Sequence, residues 1–235
     1  MNELKKVVDS YMQKVPEVKD YCTRCLKTER WGGSAVLMIV DAAFTSIGLN
    51  YFQTVVPRVG EFEKLFLKTG KVTCLGDLVF ANIKELRGVW KNRRSWEVAK
   101  SVASYLAYLK KEIELKTDAE ALIYWAKNAD VKKWKEDAIG KVSGVGINTF
   151  QYLRMMGGVD TVMPDKVVKR VIKEILEQAK AKMSTSDDST FIETVHKIAE
   201  RTGYRPIELC WMTWLVQSEA GVDRSVKYAE VLPRI

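Results

Sequence analysis

The chain has 235 residues, 47% apolar and 29% charged, with only 14 Gly and 5 Pro. That composition excludes disorder, collagen-like repeats and low complexity, and the length suffices to bury a hydrophobic core without a metal or disulfide staple. Lys and Arg exceed Asp and Glu, 38 to 30, and the pI is about 9.2, a balance that favours a polyanionic partner. The longest apolar stretch, Ala35 to Val40, is broken by Asp41 and Thr45, far short of the ~20 residues of a membrane span. Met1 is followed by the charged run NELKK rather than a secretory start, so the expected location is the cytoplasm, at the nucleoid in a prokaryote.

Apolar residues recur at three- and four-residue spacing from the outset, as in Val7, Tyr11, Val15 and Val18, and nowhere alternate with a period of two. The fold class read from this is all-α. Helices are expected over 3–13, 34–47, 58–68, Ser95 to about Ile113, 118–128, 147–156, 165–178, 188–201 and 206–219. In the clearest of them Trp96, Ala99, Val102, Ala103, Leu106 and Leu109 form one apolar stripe. Gly32-Gly33 before Ser34 reads as a helix stop followed by an N-cap, Gly70 as a turn, and the polar run ending at Thr190 as a connector.

Cys22 and Cys25 form the one CxxC pair, with Cys74 and Cys210 far from it, so ordinary reduced thiols are expected rather than a zinc site. His196 is the sole histidine. Zinc-peptidase chemistry and Ser/His or Cys/His triads are thereby disfavoured, and any catalysis is expected to use carboxylates.

Between 131 and 182, Lys and Arg outnumber Asp and Glu eleven to six. Inside this basic stretch lies KVSGVGINTFQYLRMM, residues 141–156, read as a helix ending near Ile139, a Gly-rich turn and a new helix from Ile147. Gly144 and Gly146 allow a sharp turn whose amides approach another surface, and N–H groups opening a helix make a phosphate site. Further on, Pro164 precedes Asp165 and an amphipathic helix with Val167, Val168, Val171, Ile172 and Ile175 inside and Lys166, Lys169, Arg170 and Lys173 outside. Local residues alone read Asp165 as an ordinary N-terminal cap.

Together, the hairpin Val142-Ser143-Gly144-Val145-Gly146 and the aspartate of Asp165-KVVKRV resemble the helix-hairpin-helix DNA glycosylases, the superfamily of endonuclease III and the alkyladenine and 8-oxoguanine glycosylases. The motifs cover residues 139–175. The resemblance implies a single glycosylase-like domain over 1–235, with two helical lobes, about 34–130 and 131–235 plus 1–33, flanking a cleft. It implies a monomer that binds double-stranded DNA, extrudes a damaged, mismatched or modified base and hydrolyses its glycosidic bond, with Asp165 as the catalytic carboxylate. Asp160, in Val159-Asp160-Thr161, imitates the family's V-D-T-H string and is the fallback, since that assignment would place Pro164 inside the following helix at ~3 kcal/mol.

Where strand-cutting members carry a lysine, this chain has Asn148, and an amide forms no Schiff base. A monofunctional enzyme is therefore implied, unless Lys141 or Lys166 substitutes. Asn148 would hold water or touch the base, and Tyr152, Trp211 and Trp214 would line the base pocket, although each also reads as a core aromatic. Val142 to Gly146, Asn148, Lys166 and Lys169 would contact DNA, and the carbonyls of Gly140, Val142 and Val145 would hold an accessory K+ or Na+. No catalytic cofactor is implied. The C-terminal four-cysteine cluster of endonuclease III is missing, so no iron–sulfur cluster is expected, nor the N-terminal β-domain of other branches. The turn Arg30-Trp31-Gly32-Gly33 is a candidate to probe the duplex. Two other readings stay open: a non-catalytic DNA-binding module, and an all-α protein whose basic surface meets an acidic protein or membrane.

Overall fold

A computed structural model describes residues 3–235; Met1 and Asn2, at the start of the expected second lobe, lie outside the described residues. The architecture is all-α. In chain order the helices are α1 (Glu3–Met12), α2 (Val18–Leu26), α3 (Ala35–Thr45), α4 (Val56–Phe62), α5 (Leu75–Phe80), α6 (Ile83–Val89), α7 (Arg93–Glu112), α8 (Asp118–Asn128), α9 (Ile147–Met156), α10 (Lys166–Gln178), α11 (Asp188–Thr202), α12 (Pro206–Leu215) and α13 (Arg224–Lys227). Two two-residue strands, Ser218–Glu219 and Val222–Asp223, pair antiparallel after α12. No helix among the described residues is long and apolar enough to cross a membrane.

Caps fix the helix starts. Ser34 accepts from the Leu37 N–H at 3.3 Å, Asn92 from Ser95 N–H at 3.1 Å and Thr117 from Glu120 N–H at 3.1 Å, each side chain satisfying a donor that has no partner within its helix. Helix α3 is apolar on every side and buried from Ala35 to Phe44. It packs on α4, α7, α8 and α9, while α1, α2, α10, α11 and α12 pack on one another. Helix α9 touches both sets, meeting α2 as well as α3 and α8.

Several expectations shift. The helix expected over 58–68 belongs to a rod running from Tyr51 to Leu67, with π-helical turns over Tyr51–Val55 and Glu63–Leu67 on either side of α4. Helices α5 and α6 lie outside the expected ones; they have six and seven residues, too short for a 3.6-residue period to stand out. The last long helix stops at Leu215 rather than 219. No α-helix leads into the hairpin at Ile139: a 3-10 turn over Val131–Lys133 and irregular turns take its place.

At the α8–α9 junction Gly157 admits no side chain, since a Cβ there would lie 2.4 Å from Ala126 Cβ and 2.9 Å from the Leu122 carbonyl. Gly157→Ala is expected to lower the unfolding free energy by about 1–3 kcal/mol, the usual range for overpacking. Urea denaturation measures it, and an unchanged midpoint would contradict this close approach.

Candidate active site

The hairpin is organised by Asp137 and two glycines. Asp137 Oδ1 accepts from Ile139 N–H at 2.8 Å and from Trp125 Nε1 at 3.2 Å, and the Lys141 N–H donates to the Asp137 carbonyl at 2.9 Å. Gly140 lies so close to the Trp134 carbonyl that a Cβ would sit 1.6 Å from its oxygen. Gly144 has φ +104° and would bring a Cβ within 2.8 Å of Val98, which lays the hairpin on α7 with Arg94 alongside. Gly146 then caps α9. Ser143, Gly146 and Asn148 are exposed, so the first turn of α9 presents its free N–H groups outward. The Val142 carbonyl accepts from Val145 N–H at 2.9 Å, whereas those of Gly140 and Val145 accept no backbone hydrogen bond. Carbonyl oxygens are hard donors, the chemistry that a hard cation takes.

From α9 the chain reaches the aspartate through a loop pinned by a buried glutamine. Gln151 Nε2 donates to Thr161 Oγ1 at 2.8 Å and to the Val162 carbonyl at 3.0 Å, and its Oε1 accepts from Arg154 Nη1 at 2.7 Å. Hairpin helix and aspartate helix are thus one connected unit. Asp165 caps α10, with Oδ1 accepting from Val167 N–H at 2.7 Å, while Oδ2 takes no hydrogen bond from the protein and the residue is partly exposed. The neighbouring Cys210 thiol is pushed up to about 12 by burial, and the Asp165 charge adds to this.

Asp160 does different work. Its Oδ1 accepts from Ile207 N–H at 3.0 Å, which ties the loop to the first turn of α12, and burial raises its carboxyl above the usual range. Pro164 stays outside α10.

Tyr152 and Trp211 meet in a buried cluster whose centre is a charged pair. Arg30 and Asp41 are both 0% exposed. Asp41 Oδ2 accepts from Trp31 Nε1 at 2.7 Å, Tyr51 OH at 2.9 Å, Tyr152 OH at 3.1 Å and Arg30 Nη2 at 3.2 Å, and Arg30 Nη2 also donates to Tyr51 OH. The Arg30 guanidinium carbon lies 5.2 Å from the Tyr21 ring centre and 5.4 Å from those of Tyr152 and Trp211. Trp214, partly exposed, stands 5.8 Å from Tyr51 and stacks under Arg224 at 4.3 Å. Burial raises the Tyr21, Tyr51 and Tyr152 hydroxyls far above their usual range, so all three stay protonated donors.

The Arg30 and Trp31 side chains therefore point inward, while Gly32 is exposed. Arg30 has no exposed surface with which to probe a duplex, because it is buried against Asp41 and the surrounding rings. Trp31 holds φ 52°, ψ 37°, followed by two left-handed glycines, a conformation rare for a bulky residue that its bond to Asp41 maintains. Its outer edge lines a 420 Å³ cavity with Gly32, Phe52, Val56, Pro57 and Glu63. Sequence reasoning missed Arg30, Asp41 and Tyr51 as a unit; the available signal was a carboxylate inside the apolar run of α3, which had to find a buried partner.

Among the basic residues expected at DNA, Lys166 is exposed and unpaired, whereas Lys169 is held by Asp188. Arg170 donates to Gln217.

The chain belongs to the family described as domain of unknown function DUF8548, which matches residues 8–218. No curated protein matches it. Among solved structures it is similar to the 8-oxoguanine DNA glycosylase of Thermotoga maritima, with 15% identity and a TM-score of 0.49 over 94% of this chain and 96% of that one.

Asp41→Ala leaves a buried guanidinium uncompensated, and the unfolding free energy is expected to fall by about 3–5 kcal/mol; a loss below about 1 kcal/mol on urea titration would contradict the pairing. His196, beside Asp160, has its pKa lowered by burial, so the unfolded chain takes up that proton more readily than the folded one. Stability present above about pH 6.5 is lost as pH falls through the depressed native value. The urea midpoint is expected to drop from pH 7 to pH 5, and to drop less in His196→Gln; equal drops in both proteins would refute the assignment.

Proposed function

We propose that the protein is a monofunctional DNA N-glycosylase that extrudes one damaged, mismatched or modified base from double-stranded DNA and hydrolyses its glycosidic bond. The observation that carries the reading is the Asp165 carboxylate: one oxygen is fixed by the Val167 N–H at 2.7 Å, the other is unengaged, and Gln151 holds the whole helix start to the phosphate-binding hairpin. The resemblance of both motifs to the helix-hairpin-helix glycosylases supports the same assignment.

A glycosidic bond inside a stacked duplex is out of reach, so the nucleotide leaves the stack. Ionised Asp165 stabilises the positive sugar that develops as the C1′–N bond breaks and its electron pair leaves with the base. A water oxygen then bonds to C1′, and its proton passes through Asp165 to the departing base or solvent. Asn148, exposed at the start of α9, holds that water. Because it is an amide, no covalent sugar adduct forms and the backbone is not cut.

Val142, Ser143, Gly144, Val145 and Gly146, with the first N–H groups of α9, grip a phosphate. Lys166 adds charge there, and Lys169 does so when phosphate replaces Asp188. The carbonyls of Gly140, Val142 and Val145 would hold K+ or Na+, which supplies positive charge for that phosphate. Tyr152, Trp211 and Trp214 receive the base. The protein acts as a monomer in the cytoplasm. The cap bond of Asp165 taken alone favours a second reading, a non-catalytic module whose hairpin only binds DNA.

Base release from duplexes that each carry one modified base separates the two. Asparagine keeps the cap and removes the charge, so Asp165→Asn is expected to slow release about 10²- to 10³-fold with unchanged folding, strand breaks appearing only after alkali. The logarithm of the affinity is expected to fall linearly with the logarithm of salt concentration. Undiminished release by Asp165→Asn would remove this residue from the chemistry, and salt-sensitive binding with no release by the parent would favour the binding module.

A further inference from the structure

The buried cluster holds more hydrogen-bond donors than acceptors. Asp41 Oδ2 already takes four donors and the Tyr51 hydroxyl takes the Arg30 Nη2. Arg30 Nε and Nη1, Trp211 Nε1 and the Tyr21 hydroxyl are buried without a hydrogen-bond partner, apart from the weakly accepting Cys25 sulfur that borders Arg30. These groups are neighbours: the Tyr21 and Trp211 rings stand edge to face at 4.7 Å, and the guanidinium lies against both. Buried donors are nearly always satisfied, and an unsatisfied group calls for an acceptor from elsewhere. Here three adjoining side chains ask for oxygen acceptors at once, next to a fixed positive charge.

We infer that Arg30, Trp211 and Tyr21 read the extruded base, and that the base is neutral and carries ring carbonyls directed at them, as in uracil or 8-oxoguanine. The inference rests on the glycosylase reading above and names its substrate class. A cationic alkylated purine would meet the Arg30 charge with its own, and a base turning an amino group this way would set donor against donor, so both are rejected by the same residues that accept a carbonyl. Rings on Tyr21, Tyr152 and Trp211 supply the flat apolar walls that any base needs. Trp31 and Phe52 line the 420 Å³ cavity and border the cluster, Trp31 through its bond to Asp41 and Phe52 through the Tyr51 ring; Tyr51 and Phe52 sit on the π-helical turn Tyr51–Val55, an element that recurs at functional sites. A base coming in through the cavity displaces this turn.

The test measures binding, so it does not depend on turnover. Asp165→Asn is titrated against duplexes bearing a single uracil, 8-oxoguanine or 7-methylguanine, and against the unmodified duplex. A preference for uracil or 8-oxoguanine over both 7-methylguanine and unmodified DNA is expected. Adding Trp211→Phe deletes a donor that bonds to nothing in the protein, and the smaller ring lowers the thermal midpoint; it is expected to weaken that preference about three- to tenfold, the worth of one hydrogen bond. Tyr21→Phe is expected to act in the same direction. Equal binding to all duplexes, a preference for 7-methylguanine, or a preference untouched by both substitutions overturns the inference. Failure of the glycosylase reading is a separate result: the parent then binds with the carbonyl preference yet never releases a base.

Discussion

The Arg30–Asp41 pair is the constraint around which the rest of the molecule is arranged. Two charges with no exposure are costly to bury, and their attraction offsets that cost only when the remaining donors and acceptors are satisfied. Asp41 is satisfied to excess, by Arg30, Trp31, Tyr51 and Tyr152, whereas Arg30 is satisfied only at Nη2. The four donors come from the turn after α2, from the π-helical turn after α3 and from α9, so one carboxylate on α3 fixes the relative placement of segments far apart in sequence. It also maintains the left-handed backbone at Trp31, which turns that ring edge toward the cavity.

Helix α9 carries this constraint to the hairpin and the aspartate. Asn148 stands at its exposed end beside the hairpin turn. Gln151 and Tyr152 follow on its buried faces, one bonded to the loop before Asp165 and the other to Asp41. A single three-turn helix thus relates the hairpin turn, the carboxylate and the aromatic cluster. The consequence is mechanical: none of the three can shift without straining bonds that belong to the others. Asp160 closes the arrangement from the far side by holding the same loop to α12.

The all-α class was legible because amphipathic spacing recurs along almost the whole chain, and the Asp165 cap because a proline, an acid and a basic amphipathic helix follow one another. The hairpin turn was legible at Gly144 and Gly146, but the helix leading into it was not, since Asp137 and the Trp134 carbonyl fold that stretch into turns through contacts between residues that no periodicity encodes. The cluster around Asp41 was legible only as an interruption. A carboxylate among Val40 and Ala42 signals a buried partner without saying which one, and Arg30, eleven residues away across a glycine turn, is identified only by three-dimensional packing. Tyr152 has spacing that fits core and pocket equally well and Trp211 reads more readily as core, and the structure buries both beside Arg30.

Base extrusion is the central claim, and fluorescence of 2-aminopurine placed next to a target uracil or 8-oxoguanine reports it most directly, since the probe brightens when its stacking neighbour leaves. Asp165→Asn, which binds without turning over, is expected to bind the duplex in a salt-sensitive manner with a rise in fluorescence that saturates with binding. Saturated binding to both target duplexes with no change in fluorescence would contradict the account, leaving a protein that grips the backbone and never opens the stack.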